Sequence, residues 1–389
     1  MRERKKLVIA YAEGEASMAE LCRRYKVSRK TGHKWWRRYC EGGVEALKDR
    51  RSRPLSSPRQ TPVNVENELV KLRRSYPTWG PRKQKPRLEK LRPDLEVPAP
   101  STIGEVLKRN GLIVRRRRPR QSVPATSPFA GYERANAVWC ADFKGHFAVG
   151  SKRCHPLTIV DGYSRYLVAC QALSRTNGER VRKVFFEAFR TFGLPDVIRT
   201  DNGPPFASTG AGGLSDLAVW LMKLGIRLER IEPGHPEQNG RQERFHRTLK
   251  QDTASPPCGS LAAQQRRFNI YRQHYNEVRP HEALGQEPPS EFYQPSTRPL
   301  PDRWLDPAYP DSYELFRTTA GGAITWRGFH IQLNRCLDKE CVGVVHRDGQ
   351  DYDAYFGEAW LGQFAKPRTN TKNIRLITSP SARPKVIQS

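Results

Sequence analysis

From Arg134 onward, short β-rich apolar runs alternate with amphipathic helical stretches, and acids stand where the runs stop. "NAVWCADFKGHFAV", "HPLTIVDGYSRYLVACQAL" and "DVIRTDNG" read as strands, with "RVRKVFFEAFRTFG" and "DLAVWLMKLG" as helices between them. Strands first and helix–strand alternation afterwards predict an α/β sheet with mixed strand directions. Asp142 lies within the first strand, in "WCADFKG", and Asp201 ends a buried one, in "VIRTDNG", where Asn202 and Gly203 make a sharp exit. A carboxylate at the end of an apolar strand is costly unless something pairs it. Two such acids brought together repel, and a divalent cation removes the repulsion. Taken singly, each aspartate is equally well read as part of a turn.

A third acid comes from "GHPEQNGRQERFHRTLK" (Gly234 to Lys250). Asn239 can cap a helix whose third position is Gln242, close to a capping box. At 100° per residue Phe245, Thr248 and Leu249 share the face that must pack on the sheet. Glu243, Arg247 and Lys250 share the other, at i, i+4 and i+7. Glu243 is therefore the acid that a rigid element presents, whereas Glu237 precedes the helix and has no fixed direction. Standing alone, Glu243 and Arg247 read equally as a solvated pair. Asp161, in Asp161-Gly162 between two apolar strands, is a hairpin-turn residue rather than a ligand. Glu232 and Glu237 fall in a Pro/Gly loop and read as surface residues.

The flanks are basic. Residues 1–130 hold 33 Lys+Arg against 13 Asp+Glu, within a chain of 389 residues whose formal net charge is +28. A polyanion partner follows, since every phosphate neutralised releases counterions. No basic amphipathic helix has a Trp/Leu-rich opposite face, which disfavours a membrane surface. In "SMAELCRRYKVSRKTGHKWWRRY" (Ser17 to Tyr39) a short helix breaks near Tyr25–Val27, and Ser28 caps a basic second helix. Ala19, Leu21, Val27, Thr31 and Trp35 fall where a helix-turn-helix buries its contacts. Arg29, Lys30, Lys34, Arg37 and Arg38 then face DNA. A second helical unit follows, in "VENELVKLRRSYP" and "STIGEVLKRNGLI", with Ser101 as a cap and Gly111 as a stop. Pro86 makes the middle helix of that unit short or kinked. "RRRRPRQSVPATSP", carrying Arg115, Arg116, Arg117 and Arg118, is a connector suited to lie along a phosphate backbone. After Pro295 a Pro-rich linker leads to short strands with a Gly- and Asp-rich turn, a small β-barrel pattern. The 8 cysteines are scattered without a C-x-x-C pair, so free thiols in a reducing compartment, and no structural zinc, are expected.

Taken together, Asp142 in "VWCADFKG", Asp201 in "TDNGPPF" and Glu243 in "HPEQNGRQERFHRTLK" resemble the DDE catalytic core of insertion-sequence transposases and retroviral integrases, an RNase H-like fold. "VDGYSRY" and "YNEVRPHEALGQEPP" look like the bacterial insertion-sequence branch, and "ELCRRYKVSRKTGHKWWRRY" resembles its helix-turn-helix. The likeness runs over roughly residues 17–295. The resemblance implies a multidomain chain. Residues 1–52 would be a helix-turn-helix domain and 53–62 a linker. Residues 63–118 would be a second DNA-binding domain of helix-turn-helix or winged-helix kind, and 119–131 a basic linker. The catalytic core with trailing helices would occupy 132–295, a linker 296–313, a small SH3-like β-barrel 314–369 and a tail 370–389. It implies a bacterial, cytoplasmic, nucleoid-associated transposase that works as a dimer or tetramer on double-stranded DNA, both the terminal inverted repeats of its element and target DNA. Asp142, Asp201 and Glu243 would hold two Mg²⁺ or Mn²⁺ ions for end cleavage and joining of the 3′-hydroxyl to target. Arg247 and Lys250 would hold phosphates beside the metals, and Asn239 would contact the end nucleotides. A DNA-binding repressor with a silent core is the competing reading, and the presence of all three acids speaks against it. The 41 residues between Asp201 and Glu243 exceed the spacing usual in that family, and "STGAGG" (Ser208 to Gly213) looks like an insertion of the needed size.

Overall fold

Serine caps start the two helices on which the N-terminal unit turns. Ser17 accepts from Glu20 N (3.3 Å) ahead of α2 (Met18–Arg24), and Ser28 accepts from Thr31 N (3.2 Å) ahead of α3 (Arg29–Gly42). With α1 (Arg2–Ala12) they bury Leu7, Val8, Met18, Leu21 and Cys22 in one small core. Gly32 lets α3 approach α2: a Cβ there would lie 2.4 Å from Cys22 Sγ. Arg29, Lys30, Lys34 and Arg37 are exposed along α3, and Arg38 is half-buried. The computed structural model describes residues 2–49, 60–113, 131–230, 240–366 and 373–378. Two compact units divide the chain, Met1–Pro62 and Val63–Ser389.

The second unit begins with three helices, α4 (Val63–Ser75), α5 (Pro81–Leu91) and α6 (Pro100–Arg109), packed around Leu69, Leu88, Ile103 and Leu107. Helix α5 runs for 11 residues with Pro86 inside it. Pro86 deprives the Arg82 carbonyl of an intrahelical donor, and Arg82 is exposed, where water can take that carbonyl. The expected Ser101 cap is corrected: the cap and the start of α6 lie two residues earlier, with Ala99 at the cap and Pro100 in the first turn, and no described side chain caps it. The fixed φ of proline preorganises that first turn, so the serine falls inside the helix. Gly111, at φ +69°, ends it as expected, with Leu112 N bonded back to Leu107 O.

The central sheet comprises β1 (Val138–Phe143), β2 (Phe147–Val149), β3 (Lys152–Asp161), β4 (Leu167–Leu173), β5 (Val197–Thr200) and β6 (Arg227–Arg230). Its order is β2-β3-β1-β5-β6, with β4 also paired to β3. The β1–β3 and β3–β4 ladders are antiparallel, whereas β1–β5 and β5–β6 are parallel, so the sheet is mixed. Alternation along the strands serves two layers. Trp139, Ile159 and Ile198 meet Phe185, Phe189 and Trp220 of α7 (Gly178–Phe192) and α8 (Asp216–Lys223). Val160 and Cys170 on the other face meet Phe245 and Leu249 of α9 (Gly240–Thr253) and Phe268, Tyr271 and Tyr275 of α10 (Leu261–Glu277).

The C-terminal strands are β7 (Glu314–Arg317), β8 (Ala323–Trp326), β9 (Phe329–Gln332), β10 (Cys341–Asp348), β11 (Asp351–Phe356), β12 (Ala359–Ala365) and β13 (Asn373–Ile374). The expected closed barrel is corrected: among the described residues they form two open sheets, β12-β11-β10-β7 and β13-β9-β8. Their apolar faces enclose Trp326, Ile331, Phe356 and Phe364, and the same cluster takes in Ala211, Leu214, Ala218 and Val219 from the central part. Core side chains cover what barrel closure would otherwise have to bury.

Candidate active site

Two of the three acids line one cleft. Asp142 and Glu243 share a cavity of about 590 Å³ with Lys144, His246, Arg247 and Lys250. Strand β1 carries Asp142 on the face turned toward α9, two residues after Cys140, whose carbonyl accepts from Gln242 Nε2 (3.2 Å). That bond and the burial of Phe245 and Leu249 fix the rotation of α9 and leave Glu243, Arg247 and Lys250 exposed. Thr248 is half-buried, its hydroxyl donating to Arg244 O (3.2 Å).

Asp201 comes from the neighbouring strand. The parallel register pairs Val138 with Val197 and Cys140 with Arg199; carried two residues further at the same offset, it sets Asp201 against Asp142. The Asp201 carboxylate accepts from Gly203 N (3.2 Å), turned into its own loop. It does not line the cleft with Asp142 and Glu243, and no three His, Cys, Asp or Glu side chains among the described residues are gathered as a metal-binding group.

His246 belongs to this site, and the sequence reading passed over it. Its ring is buried, with Nε2 2.8 Å from Thr158 Oγ1 and Nδ1 3.7 Å from Asp142 Oδ2. Burial, helped by the charge of Lys144, pushes its pKa down to about 3. A neutral imidazole at 3.7 Å forms no ion pair with Asp142. Thr158 donates its single hydroxyl hydrogen to Asp142 O (3.2 Å), so it accepts from His246 Nε2–H, and the lone pair of Nδ1 faces the carboxylate. The signal was present as spacing: Gln242, His246, Leu249 and Thr253 recur at helical intervals and are all buried, but three of them count as polar.

Asp161 ends β3, and its carboxylate anchors the turn that follows. It is fully buried and accepts from Asn136 N (2.8 Å), Ser164 N (2.7 Å) and Ser164 Oγ (2.6 Å). Burial raises its pKa, against those hydrogen bonds. Glu232, Glu237, Asn239 and Arg115 to Arg118 lie outside the described residues. The eight cysteines are all free, and no helix among the described residues is long and apolar enough to cross a membrane.

Against known proteins, the "Integrase core domain" profile matches residues 132–236 and a second profile of that description matches 224–289. A "Helix-turn-helix domain" matches 3–54 and a "Homeodomain-like domain" 31–107. The chain thus joins helix-turn-helix units to an integrase core. An uncharacterized 39.2 kDa protein of insertion element IS476 from Xanthomonas euvesicatoria is 28% identical over 244 residues, 62% of this chain and 67% of that protein. An uncharacterized 31.7 kDa protein of insertion element IS407 from Burkholderia multivorans is 34% identical over 184 residues, 47% of this chain and 64% of that protein. The aligned stretches therefore span about two thirds of these relatives' length. The chain is thus similar, through its integrase core and helix-turn-helix domains, to proteins of insertion elements. The HTLV-2 integrase catalytic core domain, in a structure with magnesium, aligns over 41% of this chain and 98% of its own at 17% identity, with a TM-score of 0.31.

Proposed function

We propose that this protein binds the ends of its insertion element, cuts them and joins the freed 3′-hydroxyls to target DNA. The observation that carries the reading is the opening of Asp142 and Glu243 into one cleft, with Asp201 just past the end of β5, the parallel neighbour of β1. Their donor chemistry fits Mg²⁺ or Mn²⁺, because all three offer hard, anionic oxygens. Two such ions, when bound, would supply a water or 3′-hydroxyl of lowered pKa and stabilise the leaving 3′-oxygen. Asp142, Asp201 and Glu243 would hold them, with Asp201 exchanging its Gly203 N–H bond for that role. Arg247 and Lys250, exposed beside Glu243, would hold the phosphates that flank the scissile bond. Asn239 would reach the end nucleotides. His246, buried and neutral, adds no positive charge beside Asp142.

The basic face of α3, with Arg29, Lys30, Lys34, Arg37 and Arg38, would read the element ends, and Arg115 to Arg118 would follow the phosphate backbone. Two element ends and one target require several active sites, so a dimer or tetramer on DNA is the working form in this reading. The test is incubation of purified protein with labelled element ends, target plasmid and Mg²⁺. Joined product is the expected result. Protein that binds the ends yet neither cuts nor joins them in Mg²⁺ or Mn²⁺ would overturn the catalytic reading in favour of a repressor.

A further inference from the structure

We infer that Asn334 of the C-terminal strands is a positioning residue for Asp201, acting through the inserted loop Ser208–Gly213; this rests on the reading of Asp201 as a metal ligand. Asn334 lies just past β9, and its Nδ2 donates to Ala211 O in the loop (2.9 Å) and to Leu214 O directly after it (3.2 Å). Its Oδ1 is occupied by Cys336 N (3.3 Å), which fixes the amide so that its donors face the loop. Cys336 Sγ also reaches Leu214 O (3.5 Å).

From Leu214 a continuous hydrogen-bonded path returns to the acid. Ser208 Oγ donates to Leu214 O, and Ser208 N to Gly213 O (3.0 Å). The next residue, Ser215, donates through its hydroxyl to Phe206 O (3.2 Å). Phe206 N and Ala207 N both donate to Gly203 O (3.1 and 3.2 Å), and Gly203 N donates to the Asp201 carboxylate (3.2 Å). The buried Phe206 ring meets Phe143, next to Asp142, at 5.9 Å between centroids. The exit leg of the Asp201 turn is thus tied at its far end to a part of the chain more than a hundred residues downstream. The close approach has a steric mark as well: a Cβ on Gly210 would sit 2.7 Å from Asn334 Nδ2. An insertion that only lengthened a surface loop would need neither the amide clamp nor the glycine.

The measurement is Mn²⁺ binding to the full-length protein, followed by the electron paramagnetic resonance of free Mn²⁺. Asn334→Ala removes the clamp. Gly210→Ala displaces it while leaving Asn334 in place, and its φ of −72° accepts alanine. Each is expected to weaken Mn²⁺ binding about tenfold, the scale of losing an outer-shell support, and the double variant no more than Asn334→Ala alone. Val342→Ala hollows the same strands at a fully buried position and is expected to leave Mn²⁺ affinity unchanged. Asp201→Asn is expected to abolish tight binding. Parental affinity in both Asn334→Ala and Gly210→Ala, with Asp201→Asn defective, would overturn the positioning role alone. Equal weakening by Val342→Ala would reduce it to general stability. Parental affinity in Asp201→Asn would remove the metal role of Asp201 and the inference with it.

Discussion

At the scale of single residues, the three acids differ from their neighbours in what holds them. Glu243 rides on a helix whose rotation is fixed by Phe245, Leu249 and the Gln242–Cys140 bond, so Glu243→Gln keeps the shape and removes only a charge. We expect loss of end cleavage and strand transfer by several orders of magnitude, with end binding kept, because a metal-assisted step loses several kcal/mol. Asp142→Asn and Asp201→Asn should behave alike, and Glu237→Gln like the parent. The assay is joining of a pre-cut labelled end to plasmid; a dead Glu237→Gln beside an active Glu243→Gln would show the wrong glutamate had been chosen. Asp161→Asn belongs to folding instead. One of its carboxylate oxygens receives both Ser164 N–H and Ser164 O–H, the other receives Asn136 N–H, and an amide nitrogen in either place meets a donor. The expected cost is about 2 kcal/mol in urea unfolding; an unchanged midpoint would contradict it. Asp142 and Glu243, which line one cleft, stood out in the sequence only as a set with Asp201, because each acid alone also reads as a turn residue or a solvated pair. His246 and Thr158 did not stand out, since a buried polar pair is defined only by the partner strand and helix that enclose it.

At the scale of elements, the alternation of strand and helix from Arg134 was enough to read a mixed α/β sheet, because burial on two faces writes itself into periods of 2 and 3.6. The arrangement of the C-terminal strands was not readable in the same way. Barrel closure is a matter of which edges pair, and here Ala211, Leu214, Ala218 and Val219 take the place of closure by covering the apolar face. Ser208–Gly213 likewise read as a bare insertion, since its partner Asn334 is distant in sequence. A consequence follows for truncation. Removing residues 314–389 would uncover that apolar patch and break the half-buried Lys223–Glu340 ion pair (2.7 Å). The truncated protein is expected to melt several degrees lower and to lose joining through instability, as well as any loss of DNA contact. Differential scanning calorimetry decides this: an unchanged transition for the remaining core would mean the strands are an independent module.

At the scale of the whole second unit, the helices of residues 63–113 are joined to α10 and the segment after it by a mostly polar seam. Tyr76 stacks on His274 at 4.8 Å, Arg82 pairs with Glu282 (2.8 Å), Lys83 donates to Pro280 O and Lys90 pairs with Glu287. Nε2 of His274 and of His281 is buried without a partner among the described residues. Burial, with Arg279 nearby, lowers His274 to about 4; burial, with Lys83 and then Arg279, lowers His281 to about 3. Burial, aided by Arg279, lowers Lys83 to about 8. The direction of the pH effect follows from which state holds more protons. Below the ordinary histidine range the unfolded chain takes protons that the folded seam refuses, so stability falls as pH drops from 6.5 toward 4. Between about 8 and 10.5 the unfolded chain holds the Lys83 proton that the folded state sheds, so stability rises across that window. Each group contributes a slope of at most about 1.4 kcal/mol per pH unit, less where water reaches it. Urea unfolding of the full chain at pH 7 and pH 4.5 should therefore show a lower midpoint in acid. The double substitution His274→Gln and His281→Gln should narrow the gap, and Lys83→Met should flatten the alkaline rise. If the double variant loses as much stability in acid as the parent, protons taken up elsewhere, and not at this seam, govern the acid limb.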